Sequence, residues 1–172
     1  MRTRATSRGL EFTELGLGTA QLGNLYRETS PDEADATLTA AWEGGIRYID
    51  TAPHYGLGLS ERRVGAWLRE RPRDAFVLST KVGRLLVPSP ETAGQQDDEG
   101  FAVPADRRRV FDFSRDGVLR SVEASLERLG LDRIDVLYLH DPDDHFEQAS
   151  GEGIAALIEL REQGSCAPWA PE

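Results

Sequence analysis

The sequence predicts an α/β fold in which helices cover a parallel sheet. Three observations carry that expectation: strand-like and helix-like segments alternate, the strand-like runs are nearly continuously apolar, and cap residues or glycines mark the transitions.

Taken in order, LGLGTAQLG from Leu15 is a short apolar run closed by glycines, the first buried strand. Ser30, Pro31 and Glu33 form a helix start, and Ala34, Leu38, Ala41 and Trp42 recur at helical spacing until Gly44 and Gly45 stop the helix. Arg47 to Asp50 is a second strand. Ser60 is expected to cap a helix running through Val64, Trp67 and Leu68, and Phe76 to Lys81 is a third strand. From Val82 to Phe113 the periodicity lapses into glycine, proline and acidic residues, which predicts a long irregular loop of the kind that carries function. Ser114 then caps a strongly amphipathic helix with Val118, Val122, Leu126 and Leu129 on one stripe and Gly130 at its end. Ile134 to His140 is a fourth strand, and Gly153 to Gln163 a fourth helix ended by Gly164.

With 172 residues, 39% of them apolar, the chain can bury one core and is expected to form a single domain. Its net charge of −10 opposes binding to nucleic acid or to acidic lipid. The single cysteine, Cys166, fits a reducing cytoplasm, and no apolar run is long enough to span a membrane. Met1 to Arg8 lacks the apolar core of a signal peptide.

In a parallel β/α array the C-terminal strand ends gather on one edge, and Asp50, Lys81 and His140 all fall at such ends. Tyr55 follows Asp50 by five residues and can hang over the same mouth. Tyrosine is a weak acid, with a usual pKa of ~10, but a nearby ammonium favours its phenolate. Lys81 can supply that charge, Asp50 can pair with the lysine, and His140 can donate a hydrogen bond to a substrate carbonyl. Singly, each has an ordinary reading: Asp50 caps a turn, Tyr55 is a half-buried aromatic, Lys81 is solvated, His140 satisfies a backbone group. Their shared placement favours carbonyl chemistry by hydride transfer.

Three other motifs point to less. Gly16, Gly18 and Gly23 do not make a dinucleotide fingerprint, because Gln21 stands where the third glycine belongs. His140, Asp141, Asp143, Asp144 and His145 read as an acidic, helix-capping turn, so no metal is expected. Arg107, Arg108 and Arg109 read first as a solvated loop face, with a role in holding substrate or the acidic loop left open.

GIRYIDTAPHYG (Gly45 to Gly56), STKVGRLL and LERLGLDRIDVLYLHDPD (Leu126 to Asp143) closely resemble the aldo-keto reductase family, over about Leu15 to Gly164. The resemblance implies a (β/α)8 TIM-type barrel, here truncated to about the first four β/α units, using NADP or NAD. It implies a catalytic tetrad of Asp50, Tyr55, Lys81 and His140 with Tyr55 as acid or base, and places Gly18, Thr19, Ala20 and Asp50 near the nicotinamide. Within the family the wording is most similar to the bacterial aldose (fucose or galactose) 1-dehydrogenase and pyridoxal dehydrogenase branch, implying a sugar or aldehyde substrate and a substrate pocket shaped by the loop after Val82. Groups that hold the nicotinamide amide and the adenosine phosphate belong to later strands in such proteins.

Residues 165–172, SCAPWAPE, depart from the family pattern and cannot form a central strand. Deleting one base from codons chosen for a family-like VVRAVGAGMN yields SCAPWAPE and a stop, which predicts a frameshifted or misassembled gene product. A complete barrel takes ~250 residues. Four strands are therefore expected to leave open edges that favour self-association, and the alternative to an enzyme is an inactive barrel fragment acting only through such association.

Overall fold

The structure, a computed structural model, describes residues 1–7 and 9–163; Gly164 as a helix stop and the expected aberrant tail lie outside the described residues. Four parallel strands form the central sheet: β3 (Gly16–Gly18), β4 (Tyr48–Asp50), β5 (Val77–Val82) and β8 (Val136–Leu139), paired in that order. Helices and two small hairpins surround it.

Ahead of the sheet, β1 (Thr3–Ala5) and β2 (Glu11–Thr13) make an antiparallel pair that the sequence reading did not include. Thr13 and Phe12 tie it to the sheet: the Thr13 hydroxyl accepts from the Arg47 backbone N–H at 3.1 Å, and the Phe12 ring packs edge-on against Tyr48 at 4.9 Å. Helix α1 (Pro31–Glu43) starts as expected: Ser30 accepts from the Glu33 N–H, and the Glu33 carboxylate accepts from the Ser30 N–H. Such a reciprocal cap contributes about 1 kcal/mol.

Helix α2 (Leu59–Leu68) corrects the expected cap. Gly58 precedes it at φ +82°, a conformation glycine adopts without strain, whereas Ser60 lies inside the first turn. The Ser60 hydroxyl is fully buried, 2.8 Å from the Thr19 carbonyl and 3.0 Å from Thr51 Oγ1, so it joins the ends of β3 and β4. Helix α3 (Arg115–Leu129) begins at Ser114, which accepts from the Gly117 N–H, and ends at Gly130 with φ +63°. Short helical turns, α4 (Phe146–Gln148) and a π-turn over Ala149–Gly153, lead into α5 (Ile154–Glu162).

The segment from Val82 to Phe113 is not wholly irregular. It contains the antiparallel hairpin β6 (Arg84–Pro88) and β7 (Arg107–Phe111), with Arg84 opposite Phe111 and Pro88 opposite Arg107.

Strand residues alternate between two faces. Ile49, Leu78, Thr80, Val82 and Leu137 are buried against the helices, where Leu38, Val64, Leu68, Val118, Val122 and Leu157 complete the core. A buried ion pair crosses that layer: Glu61 of α2 accepts from Thr80 of β5 at 2.7 Å and from Arg128 of α3 at 2.6 Å. The opposite face carries Tyr48, Asp50, Ser79, Lys81 and Tyr138. That face is polar, and Tyr138 on it is 41% exposed.

Candidate active site

The C-terminal ends of β4, β5 and β8 bring the predicted residues together. Lys81 Nζ donates to Asp50 Oδ2 at 2.7 Å and to the Thr51 carbonyl at 3.0 Å. It also lies 4.8 Å from the centre of the Tyr55 ring. Burial works against the lysine's charge, but Asp50 and hydrogen bonds to Asp50 and Tyr55 outweigh it and hold the ammonium above its usual pKa. Lys81 is the only lysine in the chain, every other basic side chain apart from histidine being arginine.

His140 immediately follows β8, and its ring stands 6.1 Å from that of Tyr55, nearly perpendicular to it. Burial, with Arg84, Lys81 and Arg109 nearby, pushes its pKa down to about 3. The imidazole is therefore neutral at pH 7 and carries one N–H, and its Nδ1 is buried with no hydrogen-bond partner among the described residues.

The turn bearing Tyr55 is held by close backbone approach. A Cβ on Gly23 would lie 2.6 Å from the Tyr55 carbonyl carbon, so only glycine lets the segment after β3 pass there. Thr19 is fully buried; its N–H and hydroxyl donate to the Asp50 carbonyl at 3.0 and 2.8 Å. Gly18 is exposed, and a Cβ on it would meet nothing within 4 Å. The segment Gly18 to Ala20 thus combines an open approach at the strand end with a backbone locked to Asp50.

Several site residues were not picked out from the sequence. His54 packs its ring edge-on against both His140 at 5.3 Å and Phe101 at 5.0 Å, and its pKa is pushed to about 3 by burial and by Arg109 and Arg84. Arg84 donates to Asp141 at 2.5 Å and lies 3.5 Å from His54 Nδ1 and from Glu99. Arg109 corrects the reading of Arg107 to Arg109 as a solvated face. Its side chain is 5% exposed, pairs with Asp97 at 2.5 Å and donates to the His54 carbonyl at 3.1 Å. The acidic loop is therefore a strap, tied at the other side by the Tyr26 N–H to Gly100 and the Ala102 N–H to Asn24, both at 2.8 Å. Arg109 had a signal in its strand's parity only once the hairpin was known. Tyr48 and Ser79 had a plainer one, lying two residues before Asp50 and Lys81 on the same face.

Among the described residues, no group of three or more His, Cys, Asp or Glu side chains is arranged to hold a metal ion, and no helix is long and apolar enough to cross a membrane.

The architecture is that of successive β/α units of a (β/α)8 barrel, with four polar side chains converging at the strand ends. The aldo/keto reductase family model matches residues 14–170, and the chain belongs to that family. D-threo-aldose 1-dehydrogenase from a Pseudomonas species is 55% identical over 93% of this chain and 50% of its own length. Pyridoxal 4-dehydrogenase from Microbacterium luteolum is 45% identical over 91% of this chain and 51% of its own. The chain thus spans about half the length of these curated relatives. Among solved structures, the glycerol dehydrogenase of Gluconobacter oxydans superposes with a TM-score of 0.73 at 29% identity, covering 96% of this chain and 46% of that one. An aldo-keto reductase from Bacillus halodurans in its holo form gives 0.71 at 30%, covering 96% and 48%.

Proposed function

We propose that this chain carries the acid/base centre of an NAD(P)-dependent oxidoreductase that interconverts an alcohol and a carbonyl, acting on an aldose at C1. The observation that carries the reading is the Asp50–Lys81 pair at 2.7 Å with the ammonium lying against Tyr55. Similarity to an aldose 1-dehydrogenase supports the substrate class.

In this reading Tyr55 is the proton acceptor in oxidation and the donor in reduction. Lys81 stabilises its phenolate, and Asp50 keeps Lys81 charged and in place. Neutral His140 donates its single N–H to the substrate oxygen and orients it. The open space before Gly18 and the fixed backbone of Thr19 suit a flat ring, so Gly18, Thr19, Ala20 and Asp50 are the residues that would hold the nicotinamide. When bound, NADP or NAD supplies the hydride acceptor or donor. The domain is taken as one partial barrel over residues 1–172, with self-association through the outer strands β3 and β8. One cysteine and a nucleotide cofactor suit a cytoplasmic setting.

Cofactor-fluorescence titration of the purified chain with NADPH and NADH, followed by oxidation assays over fucose, galactose, arabinose and pyridoxal, tests this. Saturable binding and turnover of at least one sugar are expected. A chain that binds neither cofactor would overturn the proposal in favour of a role in association alone.

A further inference from the structure

Behind Asp50, a line of hydroxyls crosses the polar face of the sheet. Ser79 Oγ donates to Asp50 Oδ1 at 2.6 Å, leaving Oδ2 for Lys81. The Tyr48 hydroxyl lies 3.1 Å from Ser79 Oγ, and the Tyr138 hydroxyl lies 3.2 Å from that of Tyr48. Tyr48 belongs to β4 and Tyr138 to β8, which are not neighbours; β5 runs between them. In the register Tyr48 lies beside Val77 of β5 and Tyr138 beside Lys81, and the small, fully buried Ser79 stands between those two positions.

The proton count fixes the direction of every bond. An ionised carboxylate only accepts, so the single Ser79 proton points to Asp50. Ser79 must then accept from Tyr48, whose own proton is thereby committed, and Tyr48 must accept from Tyr138. The result is three aligned O–H groups ending on one carboxylate oxygen, an arrangement in which each bond polarises the next. No part of the proton transfer assigned to Tyr55, Lys81 and His140 uses these groups.

We propose that Tyr138, Tyr48 and Ser79 are positioning residues that pin the Asp50 carboxylate, and through it set where Lys81 presents its charge to Tyr55. A carboxylate held on one oxygen cannot rotate away from the lysine on its other oxygen. Freed from Ser79, it has the open polar face to turn into, and the ion pair that keeps Lys81 charged loosens.

Because Lys81 is the chain's only lysine, a protein labelled with 13C at the lysine ε-carbon gives one side-chain resonance, and its titration reads Lys81 without any need for turnover. Ser79→Ala is expected to lower the Lys81 titration midpoint by about one pH unit, with smaller decreases for Tyr48→Phe and smaller still for Tyr138→Phe. Ser79→Thr, which keeps the hydroxyl, is expected to stay near the parent value. Where the parent turns over, the proposal, which rests on the assigned chemistry only for this consequence, predicts that Ser79→Ala lowers kcat about tenfold with KM little changed and moves the pH dependence of kcat in step with the lysine midpoint. Folding is checked in each variant by the dispersion of its amide spectrum, and the two tyrosine variants keep the test open if Ser79→Ala does not fold. Equal midpoints in the parent and in every folded hydroxyl-deleted variant would overturn the ladder. An inactive parent with shifted midpoints would uphold the ladder and count against the proposed reaction alone.

Discussion

Replacing Arg109 by methionine removes the cation that anchors the strap while keeping most of the side chain's apolar volume. Its partner Asp97 is 2% exposed at the side chain, and after the substitution retains only a 3.4 Å bond from the Phe101 N–H. Two charge-assisted bonds to Asp97 and one bond to the His54 carbonyl are lost. An uncompensated buried carboxylate costs about 3–5 kcal/mol; Glu99, 3.5 Å from the same guanidinium, loses that cation as well, so nothing offsets the loss and a cost in this range is expected. The strap can instead detach locally, which limits the global loss but exposes its amides. Urea unfolding followed by circular dichroism reads the first quantity. Hydrogen exchange of the Asp97, Ala102, Val103 and Ala105 amides reads the second. Deleting both charges with Arg109→Met and Asp97→Asn should cost less than Arg109→Met alone. A loss under about 1 kcal/mol, with unchanged exchange in the strap, would refute the reasoning and mark the pair as energetically equivalent to a surface contact.

Three further outcomes follow from the same structure. His54 and His140, each held near a pKa of about 3, are neutral when folded but charge near 6.5 when unfolded, so the unfolded chain binds more protons between those values and stability falls as pH drops from about 6.5 towards 3. Each contributes at most about 1.4 kcal/mol per pH unit; urea midpoints measured between pH 7 and 5, where carboxylates titrate little, should fall, and an unchanged slope in His140→Gln would contradict the assignment. Gly23→Ala drives a methyl into the Tyr55 backbone and should cost about 1–3 kcal/mol by thermal unfolding, a neutral result meaning the two turns are not in close contact. Among the described residues β3 and β8 each pair on one side only, so sedimentation velocity should show association that grows with concentration; a single monomer boundary across the range would argue otherwise.

The strands of the sheet were legible in the sequence as nearly continuous apolar runs, and the helices as single apolar stripes with distinct starts and stops. Ser30 with Glu33, Ser114, Gly130 and the apolar run before His140 all serve in the structure as their local chemistry suggests. What escaped notice depends on contacts distant in sequence. The β6–β7 hairpin alternates poorly, since its three arginines include one that turns inward to Asp97, and nothing in Arg107 to Arg109 distinguishes that one. Ser60 has the composition of a cap, but the positive φ of Gly58 starts the helix earlier and frees the serine to bind Thr19. The hairpin β1–β2 is short and largely exposed, so it leaves no hydrophobic pattern to read. At the site, Asp50, Lys81 and His140 were visible as residue types at strand ends and Tyr55 in the turn after one of them; His54 and Arg84 became visible only when the strap, with its Phe101 and Glu99, was seen packed against them.

The central claim is that Tyr55, set against Lys81, moves the proton in an alcohol-to-carbonyl reaction. Oxidation of the best aldose substrate by the parent chain and by Tyr55→Phe, followed through the absorbance of the reduced cofactor with cofactor affinity measured in parallel, tests it most directly. The expected result is a loss of at least about 100-fold in kcat with cofactor affinity unchanged. Turnover in Tyr55→Phe equal to that of the parent would contradict the assignment of the proton to this tyrosine.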